Sequence, residues 1–154
     1  MLEHNFAISQ LQRKLANIIR IGVIKEVDYS QARVVVKVDE ILTGWLPWIT
    51  FRAGEERSWL PPSIDEQVVI LSPSGELSLG VVLGSIYQQK YPAMESDKMI
   101  SSLLFQDGTK LSYNKDSHHL EVSVVDKITL KVGRSNLVIT KNGIKLNAQR
   151  IDLN

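Results

Sequence analysis

Three histidines, His4, His118 and His119, supply all the imidazole in this sequence, and cysteine is absent. Without a thiol there is no thiolate metal site, no cysteine nucleophile and no disulfide framework. His118 and His119 are chain neighbours, and neighbours on a strand point to opposite faces, so one chain does not easily aim both rings at one ion. A solvated corner beside Asp116 and Ser117 is the expected setting, and no metal is assigned. Asp65, Glu66, Glu76 and Asp107 are the notable carboxylates. Hydrolysis of a glycosidic bond needs two such groups across a cleft, and Asp107-Gly108 reads instead as a turn. The expectation is therefore no catalytic residue, no cofactor-binding residue and no enzyme.

The remaining candidates are aromatic. Trp45, Trp48 and Trp59 lie near Arg33, Arg52 and Arg57 in sequence. Such a set stacks on single-stranded nucleic acid or anchors a protein interface, where Trp and Arg are also favoured. The charge decides between them: 18 Lys plus Arg against 17 Asp plus Glu gives +1, with no block of like charges. A dedicated nucleic-acid or membrane-surface binder usually shows a clustered basic excess. Trp45, Trp48, Arg52, Arg57 and Trp59 are accordingly read as packing and interface residues, and no nucleic acid is expected as a partner.

The elements that carry these residues change character along the chain. Ile8, Leu11, Leu15, Ile18 and Ile19 recur at spacings of three and four, which predicts a short N-terminal helix. Ser9 and Gln12 fit a capping box, and Gly22 is expected to stop the helix. Its apolar stripe must be covered, first by its own domain or else by a neighbouring subunit. Glu3, His4, Arg13, Lys14 and Arg20 interrupt the apolar residues, so no signal peptide or membrane span is expected, and the protein should stay in the cytoplasm where it is made.

From Ile21 the period becomes two. Strands are predicted at Ile21 to Asp28, Ala32 to Val38, Trp45 to Thr50, Gln67 to Leu71 and Gly80 to Tyr87, with breakers at Pro61-Pro62-Ser63 and Ser72-Pro73-Ser74-Gly75. Five short strands in this length suit a small closed barrel of the oligonucleotide/oligosaccharide-binding (OB) type. The expected division is a helix and OB domain over residues 1–90, a linker over 91–98 and a β-structured region over 99–154.

That last region carries the functional argument. Its apolar residues come in brief alternating bursts: Leu111 and Tyr113; Leu120, Val122 and Val124; Ile128, Leu130 and Val132; Leu137 and Ile139; Ile144 and Leu146; Ile151 and Leu153. Short strands with one apolar face make a poor core by themselves, because so small a domain buries too little surface to offset chain entropy. No further helix or long strand supplies a second layer. The bursts can be buried if identical copies wind about a common axis, so Leu120, Val122, Val124, Ile128, Leu130, Val132, Leu137, Ile139, Ile144, Leu146, Ile151 and Leu153 are expected to face that axis.

In these positions the sequence resembles the baseplate assembly protein V family, the central spike of contractile-tailed phages and tailocins. The resemblance is carried by Asn17-Ile18-Ile19-Arg20-Ile21-Gly22-Val23-Ile24, Thr43-Gly44-Trp45-Leu46-Pro47-Trp48, Arg52-Ala53-Gly54, Arg57-Ser58-Trp59, Glu66-Gln67-Val68, Gly80-Val81-Val82-Leu83 and Ile86-Tyr87. Phe105-Gln106-Asp107-Gly108 and Leu120-Glu121-Val122 continue it. It implies an all-β chain: a short helix and an OB-fold collar, then an intertwined homotrimeric β-helix or β-prism shaft. It also implies attachment to tail-tube or baseplate hub proteins, a place in the virion tail, and puncture of the host outer membrane. Complete members end in a His-x-His tip that binds iron, and no His-x-His occurs in this sequence, so no cofactor is expected. Removal of the tip is the favoured reading; a separate tip-capping protein is the other. The runner-up function is an OB module for single-stranded nucleic acid with a β-rich oligomerisation extension.

Overall fold

The computed structural model describes residues 2–152, with side chains from Asn5 onward. The chain divides between Ala93 and Met94 into two units. Each is an entity with its own sheet or sheets.

The first unit begins with helix α1, Leu2–Ile18. Its stripe is not covered by its own domain: Ile8, Leu11 and Leu15 are all exposed. The helix is fastened at its C-terminal end instead. A Cβ at Gly75, where φ is +71°, would lie 2.2 Å from the Lys14 carbonyl oxygen, so glycine permits the approach. Ser9 is not the expected cap. It lies inside the helix and its hydroxyl donates to the Asn5 carbonyl at 2.9 Å, because nothing from Asn5 to Ile8 breaks the helix and a mid-helix serine bonds back one turn. Nor does Gly22 stop the helix, which ends at Ile18, where the Ser72 N–H donates to the Ile18 carbonyl at 2.7 Å. Gly22 lies in a strand, and a Cβ there would meet Val36 Cγ1 at 2.6 Å.

The sheet of this unit comprises β1 (Ile19–Asp28), β2 (Arg33–Val38), β3 (Ile41–Leu42), β4 (Leu46–Pro47), β5 (Gln67–Leu71) and β6 (Val81–Ser85). The order is β3-β2-β1-β5-β6, with β4 also beside β2. At the β1–β2 turn, Asp28 Oδ1 accepts from the Ser30 N–H at 2.9 Å, the Ser30 hydroxyl at 2.6 Å and the Gln31 N–H at 3.1 Å. The strand expected over Trp45 to Thr50 is shortened to Leu46–Pro47, since proline has no N–H to extend a ladder. Beyond it, Trp48 makes one parallel bridge to Val82, and the Ile49 N–H donates to the Val82 carbonyl at 2.8 Å. The sheet thus touches itself at one point and does not close as a continuous barrel. Its core is Ile24, Val34, Val36, Val38, Leu46, Val68, Ile70 and Val82, with Val27 and Trp48 packed against it. Each such aliphatic burial contributes about 1.5–3 kcal/mol.

The second unit is two antiparallel three-stranded meanders. The first joins β7 (Ile100–Leu104), β8 (Lys110–Asn114) and β9 (His119–Ser123); the second joins β10 (Lys127–Val132), β11 (Ser135–Thr140) and β12 (Gly143–Asn147). Strand β7 was not expected from the sequence. Among the described residues of this unit none is buried.

Candidate assembly surfaces

In the second meander the pairing register sorts the side chains cleanly. Ile128 lies opposite Ile139 and Ile139 opposite Ile144; Leu130 lies opposite Leu137 and Leu137 opposite Leu146. Directly paired residues share a face, so these six and Val132 form one apolar surface. Short turns at Gly133-Arg134 and Lys141-Asn142 set that register. Gly133 takes φ +55° and Gly143 +146°, values that few other residues tolerate. The apolar surface is open: Leu130 is 61%, Ile144 70% and Val132 83% exposed.

The first meander repeats the device. Leu103, Leu111 and Val122 form one row, and Ser101, Tyr113 and Leu120 the next, all on one face. Leu120 and Val122 were expected there from the sequence. Leu103 was missed, and the alternation that revealed Leu111 and Tyr113 extends to it. The chain segments outside the strands hold the other axis-facing candidates: Val124 follows β9 and Ile151 follows β12, while Leu153 lies outside the described residues. Asp107 shapes the β7–β8 turn by accepting the Thr109 N–H at 2.9 Å, with Gly108 at φ +89°.

The first unit has a second open surface. Trp48 is half-buried on the core, and its ring lies 5.7 Å from that of Trp59 at 53°. Trp59 is exposed, and so are Ile49, Phe51, Leu60 and Ile64 in the same stretch of chain. Arg52 and Arg57 flank a small hairpin: Ala53 bridges Arg57, and the Ser58 N–H donates to the Arg52 carbonyl at 3.0 Å. The structure therefore brings Trp48 and Trp59 together and sets both arginines beside them in the chain. Trp45 is outside this ring pair, and its carbonyl accepts from Arg33 Nη1 at 3.5 Å. Phe51 was missed, although the run Trp48-Ile49-Thr50-Phe51 signals it.

The acidic candidates serve the fold. Asp65, at φ +66°, accepts from Lys25 Nζ at 3.0 Å and from Lys90 Nζ at 2.7 Å. The Lys90 hydrogen bond first, then Lys25, holds the Asp65 carboxyl below its ordinary range, while Asp65 pushes Lys90 up. Glu66 accepts the Ser63 N–H at 2.7 Å and also the Ser85 hydroxyl, tying the loop before β5 to β6. Glu76 lies between two short 3₁₀ turns.

Among the described residues no three His, Asp or Glu side chains are grouped to hold a metal. His118 sits in the β8–β9 turn at φ +55° and His119 opens β9. His4 belongs to α1. This set does not fit an axial iron site of the His-x-His kind. Among the described residues no helix is long and apolar enough to cross a membrane.

Residues 20–87 match the family described as the Type VI secretion system/phage-baseplate injector OB domain. The chain is also 39% identical over 116 residues to the Spike protein of Escherichia phage P2, an alignment covering 75% of this chain and 55% of that protein. It thus spans about half the length of the curated relative it matches.

Proposed function

The chain belongs to the phage baseplate assembly protein V family, and from that premise we propose that it is the structural central spike of a contractile injection particle, acting as a homotrimer. In this reading the first unit is an OB-type collar. The strand order β3-β2-β1-β5-β6 and the parallel Trp48 to Val82 bridge support it, since an OB domain is a partly open five-stranded barrel. The second unit is the shaft, and the collar joins it to tail-tube or baseplate hub proteins through surfaces such as Trp59 and Phe51. The particle drives the shaft through the host outer membrane, which demands stiffness rather than chemistry, and in this reading the chain needs neither a catalytic group nor a resident cofactor. Its place is the virion tail.

One observation carries this reading: two sheets, each apolar on one side, expose that side in the single chain. Surface of this kind is retained where copies cover it, and closed cyclic symmetry is the usual way identical chains do so. Light scattering should give three times the chain mass of 17.3 kDa. A mass of one chain with both sheets still ordered would overturn the proposal.

The exposed Trp59 beside Arg52 and Arg57 favours a second reading, a single-stranded nucleic-acid platform. It predicts salt-dependent retention of single-stranded DNA that is lost in Trp59→Ala. Trp48 is the poorer probe because it also packs on the core.

A further inference from the structure

Helix α1 lies on its own unit the wrong way round for an amphipathic helix. Gln10, Lys14 and Asn17 follow spacings of four and three and so share one side. That side meets the unit: the Lys14 backbone approaches Gly75, and a shallow recess there is lined by Lys14, Asn17, Gly75 and Glu76. Gln10 and Asn17 are partly covered, whereas Ile8, Leu11 and Leu15 are exposed in the single chain. The polar side is thus turned in and the apolar stripe turned away. A helix of 17 residues gains little from propensity alone, and most helical stability comes from packing an apolar face. This stripe has no such packing within one chain.

We propose that the stripe packs against α1 of the other copies, as a short parallel helical seam. The proposal rests on the spike reading, which supplies those copies. Ile8, Leu11, Leu15 and Ile18 are spaced three, four and three apart, so they fill the two apolar positions of two successive heptads. The positions flanking this seam hold Ala7, Gln12, Lys14 and Ile19. Between parallel copies Ala7 faces Gln12 and Lys14 faces Ile19, so no two like charges meet and the surface is compatible with itself. With no carboxylate among the four, nothing here selects a basic partner instead. Two heptads are too few to associate unaided, but copies already joined through the second unit hold their helices at a high effective concentration. Cyclic symmetry then sets identical stripes about one axis in the parallel sense.

The test uses the full chain, whose lack of cysteine lets one introduced thiol report one position. Leu11→Cys lies on the stripe and Arg13→Cys on the opposite side of the helix. Under mild oxidation Leu11→Cys should form covalent dimers, leaving the third copy unlinked. Arg13→Cys should form almost none, since a disulfide requires Cα atoms within about 7 Å. The mass by light scattering should be unchanged by oxidation. In a second variant, Leu11→Gln with Leu15→Gln, most of the helical circular dichroism should be lost while the trimer mass stays. Glutamine nearly matches leucine in helix propensity, so that loss reads packing. Equal cross-linking at both positions, none at Leu11→Cys, a mass above three chains after oxidation, or undiminished helix in the double variant would each overturn the inference. Light scattering on the wild type separates the two readings. A monomer would defeat the spike, whereas a trimer without the Leu11→Cys cross-link would defeat only the helical seam.

Discussion

Val34, Val36 and Ile70 are completely hidden in the first unit, whereas Leu130, Ile144 and Leu146 are more than half exposed in the second, though all six sit in antiparallel strands. The apolar residue types are much the same. What differs is the sheet. In the first unit the β1–β2 ladder slips between Ile24 and Glu26 and the β5–β6 ladder between Val69 and Ile70. Such irregularities bend and twist a strand, and this sheet turns far enough for Trp48 to reach Val82. All four ladders of the second unit run without a slip. Unbroken three-stranded meanders keep their apolar side as an outer surface. One unit completes its core alone, and the other presents half of one.

The largest effect should come from Leu130→Asp. In a lone chain Leu130 is 61% exposed, and aspartate there would cost little. In a threefold assembly it places like charges together in a dry interior, at several kcal/mol per ion. Light scattering should therefore show loss of the trimer. A folded trimer of this variant would break the comparison at its base, because the exposed face would then not be the covered one.

The next effect belongs to the other unit. Ile70 is fully buried, and Ile70→Ala should destabilise the first unit by about 2–5 kcal/mol through lost burial and a residual cavity. Thermal unfolding followed by Trp48 and Trp59 fluorescence reads it. The solution mass should not change. If the proposed trimer also dissociates, the core of the first unit and the assembly of the second are not separable as the burial contrast suggests.

How much of this the sequence disclosed depends on which interaction decides each feature. Strand β5 was legible to the residue, since Gln67 to Leu71 is a β-branched run between breakers. The apolar sides of β9 to β12 were equally legible, because side-chain alternation is local. The start of α1 was not: Ser9 has a capping residue's chemistry, but a cap forms only where the chain leaves the helix, and it does not leave there. Gly22 and Gly75 both looked like punctuation, yet each answers to a distant partner, Val36 and Lys14. The side of β10–β12 that carries Lys131 and Lys145 was invisible for the same reason. Lys131 and Lys145 are fourteen positions apart, and only the pairing of β10, β11 and β12 puts them on one surface.

The smallest effect sharpens the contrast by asking whether the first unit's fastenings stay local. Asp65 links Lys25 of β1 to Lys90 beyond β6, and its carboxyl titrates below the ordinary range because Lys90 and then Lys25 favour the charged form. A group with a depressed folded pKa stabilises the fold above its unfolded pKa, and that stabilisation is lost as pH falls through the folded value. Asp65→Asn keeps a residue that tolerates φ near +66° and removes only the charge. The variant should melt slightly below wild type at neutral pH. The gap should close as pH falls from the ordinary aspartate range through the lowered folded value, below which both proteins are uncharged at this position. It should also narrow at about 1 M salt, where the screening length is near 3 Å. The shift should appear in the tryptophan-monitored transition of the first unit alone. A matching loss of the proposed trimer's mass in Asp65→Asn would mean that even an exposed ion pair of the first unit affects assembly through the second.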